Sequence, residues 1–243
     1  MFRDRVDAAA ALLERLDAFR DEDVVVLGLP RGGVPVAAAV AEGLDAALDV
    51  IVVRKLGIPG QSEVAMGAIG EGDVRVVDRG IVRRASVSDS AFDRVEREEQ
   101  RTLDRRVAQL RGDRAPEPLG DRIALIVDDG LATGATAEAA CQVARARGAR
   151  RVVLAVPVAP KDAASRVPSA DQLVAVEVPD WFMAVGQAYA DFRQTTDDEV
   201  LALLEAARRR TARSAPPADP EGGDRGHAPP EPGAPPEPGS PPE

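Results

Sequence analysis

The stretch "IALIVDDGLATGATAEAA", residues 123–140, passes from an apolar strand pattern to an alanine-rich helix pattern. Between the two lie Asp128 and Asp129, then Gly130, Leu131 and Ala132, then Thr133, Gly134, Ala135 and Thr136. Backbone amides and hydroxyls at the start of a helix suit a phosphate monoester. Two carboxylates aimed at that phosphate would repel it. They must therefore face something a few ångströms away that wants acceptors, either a diol or a hydrated metal ion. A five-carbon sugar phosphate carries vicinal hydroxyls and a 5-phosphate, and so satisfies both halves of the loop.

Outward from this stretch, buried-strand and helix patterns alternate. A helix over 5–19 sets Val6, Leu12, Leu13, Leu16 and Phe19 on roughly one face. Strands follow at 24–29 and 48–54, with a helix over 34–44 between them. Residues 63–78 read as a hairpin around Gly70–Gly72. Residues 88–111 form a long charged helix with a thin apolar stripe of Phe92, Val95, Leu103, Val107 and Leu110. Strands at 122–128, 151–158 and 172–178, a helix over 135–147 and a closing helix over 197–210, capped by Asp197, complete the pattern. Such alternation predicts an α/β fold, a parallel sheet with helices on both faces. Ligands then bind beyond the carboxyl ends of the strands, near the switch in strand order.

Two further strand-to-helix turns lie on that edge. In "GLPRGGVPVAAAV", Gly32 and Gly33 leave amides bare before a helix, which favours an anion, and Arg31 adds a fixed positive charge. In "VVRKLGIPGQSE", Arg54 and Lys55 end the second strand, two adjacent cations suited to a phosphate or pyrophosphate.

Composition excludes much. His227 is the only histidine and Cys141 the only cysteine, so His-dependent triads, His-ligated zinc sites, thiolate clusters and internal disulfides are ruled against. The net charge of −10 argues against general nucleic-acid or anionic-membrane binding. The N-terminus is charged throughout and no apolar run reaches membrane-spanning length, so a cytoplasmic protein is the expectation. From Ser214 onward six acids face one arginine in a Pro/Gly/Glu-rich segment that cannot bury enough surface to order itself. The expected organisation is one domain over 1–212 and a disordered tail over 213–243.

The segment "LIVDDGLATGATAEAA" resembles the phosphoribosyl pyrophosphate motif of type I phosphoribosyltransferases: apolar strand, two acids, then A-T-G-x-T. "GLPRGGVPVA" occupies that family's pyrophosphate-loop position. The wider pattern, with "RKLG" and "AYADFRQTTDDEV", resembles a group of bacterial predicted phosphoribosyltransferases. The resemblance implies a five-stranded parallel sheet flanked by helices, with a small hood built from terminal segments. It implies that Asp128 and Asp129 bind the ribose hydroxyls, and that Gly130 and Ala132 to Thr136 hold the 5-phosphate. Pro30, Arg31, Gly32 and Gly33 would contact pyrophosphate, with a cis peptide at Pro30–Arg31. Arg31, Arg54 and Lys55 would face the leaving group. Mg²⁺ would be held mainly by the substrate, with Asp128 or Asp129 as added ligands. A phosphoribosyl group would pass to a nitrogenous base as pyrophosphate leaves, a step of nucleotide metabolism. In the 6-oxopurine branch the position of Ala132 is an aspartate that handles the base's proton. Here, as in the adenine, orotate and uracil branches, it is alanine and transfers none.

The family's mobile cover maps to 79–112, opening with "RRASVSDS", where Arg83, Arg84, Arg105 and Arg106 could reach pyrophosphate on closure. Trp181, Phe182, Tyr189 and Phe192 hold four of the seven aromatics, and Trp181, Phe182 and Tyr189 are the candidate base pocket. Packing of the C-terminal helix competes for the same rings. A homodimer is compatible with this reading. The competing functions are a non-catalytic sensor of phosphoribosyl pyrophosphate that binds nucleic acid, which the acidic body disfavours, and a scaffold recruited through the proline-rich tail.

Overall fold

The computed structural model describes residues 1–112 and 114–214. In chain order the elements are α1 (Arg5–Glu14), β1 (Val24–Gly28), α2 (Gly33–Gly43), β2 (Ala47–Val50), β3 (Val53–Ile58), β4 (Gln61–Gly70), β5 (Val74–Val77), α3 (Arg79–Arg84) and α4 (Asp89–Arg111). Then come β6 (Ile123–Val127), α5 (Ala135–Ala146), β7 (Arg151–Val158), α6 (Ala163–Arg166), β8 (Gln172–Glu177) and α7 (Asp197–Ser214). Five strands form a parallel sheet in the order β2-β1-β6-β7-β8, and β3, β4 and β5 form a separate antiparallel sheet.

β1 and β6 are buried at every residue, because helices cover both faces of the sheet. Alternation along the strands divides the core in two. Val24 and Val26 point toward a cluster with Leu12 of α1, Leu16 just beyond it, Ala37 and Val40 of α2, and Val200 and Leu204 of α7. Val25, Leu27 and Ile126 point toward Ala140, Cys141 and Val143 on α5.

Several expectations are corrected. The apolar run 48–54 is two strands: β2 ends at Val50, Ile51 and Val52 stay buried at a bend, and β3 leaves for the antiparallel sheet. The run looks continuous because both sides of the bend are covered. The first helix stops at Glu14, followed by a 3₁₀ turn at 17–19, and Val6 is exposed rather than part of the buried face. The hairpin is present as β4 and β5, with β3 added on its other edge. Gly70 lies so close to α5 that a Cβ there would meet Val143 Cγ1 at 2.5 Å. The helix expected over 88–111 is present as α4, and the region 79–112 assigned to the mobile cover holds α3 and α4, with Phe92, Leu103 and Leu110 in the core. Thr196, not Asp197, caps α7: Glu199 N–H donates to Thr196 Oγ1 (3.2 Å) and Thr196 N–H to Glu199 Oε2 (2.9 Å), a reciprocal capping box. Of the expected tail, Arg213 and Ser214 close α7, and 215–243 lie outside the described residues.

The last residue of α4 carries the junction between the two sheets. Arg111 is buried, as are Asp49 on β2 and Glu71 in the β4–β5 turn. Arg111 Nη1 donates to both Asp49 carboxylate oxygens (2.8 and 2.9 Å), Nε and Nη2 to Glu71 (2.5 and 3.1 Å), and Nη2 also to Val50 O (3.1 Å). Asp49 Oδ2 further accepts from Glu117 N–H at 2.9 Å. Removing one partner of such a cluster strands the others as buried, unpaired charge. Arg111→Met is therefore expected to destabilise the fold by about 3–5 kcal/mol, whereas Arg105→Met, exposed on the same helix, should stay within about 0.5 kcal/mol of the parent. Urea unfolding curves of the two variants check this.

Candidate ligand site at the carboxyl ends of the strands

Beyond β1 the chain turns through Leu29 to Gly32 into α2. Leu29 N–H donates to Val127 O (2.9 Å), Gly33 N–H to Leu29 O (3.0 Å) and Val34 N–H to Arg31 O (3.2 Å). The Pro30–Arg31 peptide is cis, the bond at which the family resemblance leads one to expect it. No side chain caps α2. This turn lies directly against the one after β6. A Cβ on Gly33 would stand 2.6 Å from Val127 O and 2.8 Å from Asp128 Cα, and one on Gly32 would stand 2.1 Å from Asp129 Oδ2. The glycines are needed for this approach, not for an unusual backbone angle.

Asp128 and Asp129 follow β6. Asp129 N–H donates to Asp128 Oδ1 at 2.9 Å. Burial, and then the negative charge of Asp129, hold the Asp128 carboxyl well above the usual carboxylate range. Asp129 has a cationic partner: Arg5 Nε and Nη2 both donate to its Oδ2, at 2.9 and 2.7 Å. Its backbone is held too, since Tyr189 OH donates to Asp129 O at 2.6 Å. Burial and the Asp129 charge raise the Tyr189 hydroxyl's pKa, so it remains a donor.

The loop continues through Gly130, where a Cβ would meet Val185 and Val158 side chains at 2.5 and 2.8 Å. Gly134 adopts φ +83° as the residue before α5, with no side-chain cap. Ala132, Thr133 and Thr136 are exposed, and Ala135 begins the helix. The first turn of α5 thus offers accessible amides and hydroxyls to an anion. Arg166 supports the loop from behind, donating from Nη1 to Ala132 O at 2.8 Å.

Two clefts flank the first turn. One, of about 680 Å³, is lined by Pro30, Arg54, Lys55, Arg105, Arg106 and Thr136 among others. It brings cations of β3 and α4 to the start of α5. Arg54 pairs with Glu99 (2.7 Å) and Arg106 with Asp197 (2.6 Å). Arg83 and Arg84, exposed on α3, do not line it. The other cleft, about 370 Å³, is formed by Arg5, Arg31, Gly32, Asp129, Phe192, Gln194 and Thr195. Its far wall is a small hood, where residue 2 and residues 188–190 pair through Phe2 N–H to Ala188 O (2.7 Å) and Ala190 N–H to Phe2 O (2.8 Å). Phe2, Tyr189 and Phe192 stack in sequence, with centroids 5.6 and 5.0 Å apart.

Trp181, Phe182 and Tyr189 do not come together as one pocket. Trp181 is 91% exposed, Phe182 is partly buried against the hood cluster, and the Tyr189 ring is buried in the stack. The aromatics fasten the N-terminal segment over the acid pair rather than packing the C-terminal helix. Sequence reasoning missed Arg5, Arg166, Gln194 and Thr195. Nothing local separates Arg5 and Arg166 from the other arginines, while Gln194 and Thr195 fall inside the resemblance segment "AYADFRQTTDDEV" without being singled out there as site residues.

The close approach of the two turns makes Gly33→Ala costly: it should destabilise by about 1–3 kcal/mol, the usual cost of overpacking, as measured by denaturant unfolding. The raised Asp128 carboxyl keeps its proton when folded at pH values where the unfolded chain has lost it. It therefore lowers stability as pH rises above about 4 toward its raised value. Asp128→Asn keeps the Oδ1 acceptor and cannot ionise. It should match the parent near pH 4 and exceed it at neutral pH. The gap should widen by about 1.4 kcal/mol for each pH unit over which only the unfolded chain is ionised. Melting temperatures across that range check the sign, and a loss at every pH would contradict it.

The phosphoribosyl transferase domain family model matches residues 3–193. Two Mycobacterium tuberculosis proteins (strains CDC 1551 / Oshkosh and ATCC 25618 / H37Rv), each named "Putative phosphoribosyl transferase", are 55% identical over 210 residues, covering 86% of this chain. The chain spans about half, 47%, of the length of these curated relatives. The crystal structure of TT1426 from Thermus thermophilus is 43% identical, covers 84% of this chain and 97% of its own, and superposes with a TM-score of 0.76. With the model spanning most of the chain and the sheet, turns and acid pair arranged as above, the chain belongs to the phosphoribosyl transferase family, a family of glycosyl-transferring enzymes.

Proposed function

We propose that this domain transfers a 5-phosphoribosyl group from phosphoribosyl pyrophosphate to a nitrogenous base and releases pyrophosphate. The observation that carries the reading is the contact of Gly32 and Gly33 with Asp128 and Asp129, which sets an anion-binding turn against an acid pair beside an uncapped helix. A single ligand with a phosphate, a diol and a diphosphate matches that order. Asp128 and Asp129 accept from the ribose hydroxyls. The amides of Ala132 to Thr136 hold the 5-phosphate, with Gly130 giving the turn its tight packing. Arg31, Arg54 and Lys55 face the diphosphate, with Pro30, Gly32 and Gly33 as backbone contacts. As the bond to C1 breaks, negative charge grows on the leaving diphosphate and positive charge on the sugar. The cations and the acids stand on the corresponding sides.

Mg²⁺ fits this donor set. Among the described residues no group of three or more His, Cys, Asp or Glu is placed to hold a metal. An ion here would keep water and substrate oxygens and take at most Asp128 or Asp129, as Mg²⁺ commonly does. When bound, it supplies charge neutralisation on the diphosphate.

The acceptor enters the hood cleft beside Phe192, Gln194 and Thr195. Ala132 cannot move a proton, so the acceptor's proton leaves by another group or with the acceptor itself. A cytoplasmic role in nucleotide metabolism goes with this chemistry. No described helix is long and apolar enough to cross a membrane.

Pyrophosphate release from phosphoribosyl pyrophosphate, Mg²⁺ and a panel of bases tests the proposal. Turnover with one base is expected, and binding without turnover across the panel would favour a sensor. The Asp128→Asn, Asp129→Asn double variant removes two charge-assisted acceptors and should bind the donor at least about 100-fold more weakly while remaining folded. Normal binding by that variant would show the site to be misassigned.

A further inference from the structure

We infer that Arg5 is a positioning residue that holds Asp129 in register for the sugar, so that the N-terminal hood is built into the donor site. The inference rests on the reading of Asp129 as a ribose ligand, and it deepens that reading.

All three nitrogens of the Arg5 guanidinium donate. Nε and Nη2 close on the same oxygen, Asp129 Oδ2, at 2.9 and 2.7 Å, and Nη1 donates to Arg193 O at 2.8 Å. Its face lies 4.3 Å from the centre of the Phe192 ring. Both side chains of the pair are nearly covered, at 12% and 13% exposure. A guanidinium held by three hydrogen bonds and a ring face is an anchor rather than a mobile hand for the acceptor.

The arrangement is also selective about which oxygen it uses. Among the described residues no cationic side chain donates to Asp129 Oδ1. The fork therefore leaves one carboxylate oxygen to accept from a ligand while it fixes the other. Tyr189 OH, donating to Asp129 O, holds the same residue from its backbone end. Tyr189 stacks on Phe192, so both holds come from one hood assembly. Arg5 also offsets the negative charge of Asp129, which lies beside a second acid. That offset lets Asp129 stay ionised beside a second acid.

Arg5 donates to Asp129 and Arg193, and to no residue of the phosphate loop from Ala132 to Thr136. This separates the sugar half of the site from the phosphate half and defines the test. Parent, Arg5→Met and Arg5→Lys proteins are titrated with ribose 5-phosphate and with inorganic phosphate by calorimetry, with melting temperatures as the check on folding. Arg5→Met should weaken ribose 5-phosphate binding about 10- to 100-fold, the loss expected for a charge-assisted contact, and leave phosphate binding unchanged. Lys keeps the charge but cannot make the fork and the Arg193 contact together, so Arg5→Lys should fall between parent and Arg5→Met. A folded Arg5→Met with parental affinity for ribose 5-phosphate would overturn the assignment. So would equal losses for both ligands, which would mark a general structural role. If Arg5→Met does not fold, Arg5→Lys decides alone: selective weakening toward ribose 5-phosphate supports the assignment, and parental affinity overturns it. A parent protein that binds phosphate but does not prefer ribose 5-phosphate removes the sugar-site reading itself, and the role of Arg5 with it.

Discussion

The site depends on one steric constraint: the turn after β1 and the turn after β6 must touch. The register aligns Gly28 with Val127, so both strands end at the same height. The chain leaves β1 toward β2 on one side of the sheet and returns later to β6 on the other. The two turns therefore diverge at the switch in strand order, where a crevice opens in folds of this kind. In this chain their bases nevertheless stay in contact, because Gly32 and Gly33 present bare backbone to Val127 O, Asp128 and Asp129. A side chain at either glycine would push the anion-binding turn off the acids, and a ligand needing both would lose one. Sheet topology supplies the crevice, and the two glycines make it narrow enough for one small molecule to span.

The features that were legible in the sequence are those with a local cause. Buried strands, glycine turns and an acid pair before a Thr/Gly loop each leave a pattern over fewer than about ten residues, so the parallel sheet and the loop 128–136 could be read directly. The boundary inside 48–54 could not, because Ile51 and Val52 are as buried at a bend as they would be in a strand. The cap of α7 was misplaced by one residue because Thr196 and Asp197 are both good N-caps. Thr196 makes a reciprocal box with Glu199, while the Asp197 side chain is engaged by Arg106 and Gln109. Arg5 and Arg111 were illegible for a related reason. In a chain whose cations are nearly all arginine, nothing local marks Arg111 as buried or Arg5 as nearly covered, since their partners are acids 62 and 124 residues away.

Those two arginines show how the fold treats buried acid differently according to its use. At the junction of the sheets, Arg111 meets Asp49 and Glu71 with five hydrogen bonds, four of them to carboxylate oxygens and one to Val50 O. Asp49 takes a backbone N–H as well. The cluster is satisfied internally, and it locks the antiparallel sheet to the parallel one. At the ligand site Arg5 answers only Asp129, and does so on one oxygen. Among the described residues Asp128 has no cationic partner of its own, and it takes a backbone N–H from its neighbour. The second cluster is thus left short of donors.

That shortage has a physical meaning. Desolvation, and then the charge of Asp129, oppose ionisation of Asp128, so an ionised pair there comes at a cost to the folded protein. A diol, or a cation with its water, would supply the missing donors and favour the carboxylates in the form that binds. A ligand that supplied those donors would recover on binding the free energy withheld from folding. On this reasoning the hood is more than a cover. By fixing Asp129 through Arg5 and Tyr189 it keeps the two acids side by side, the arrangement the proposed sugar ligand would need.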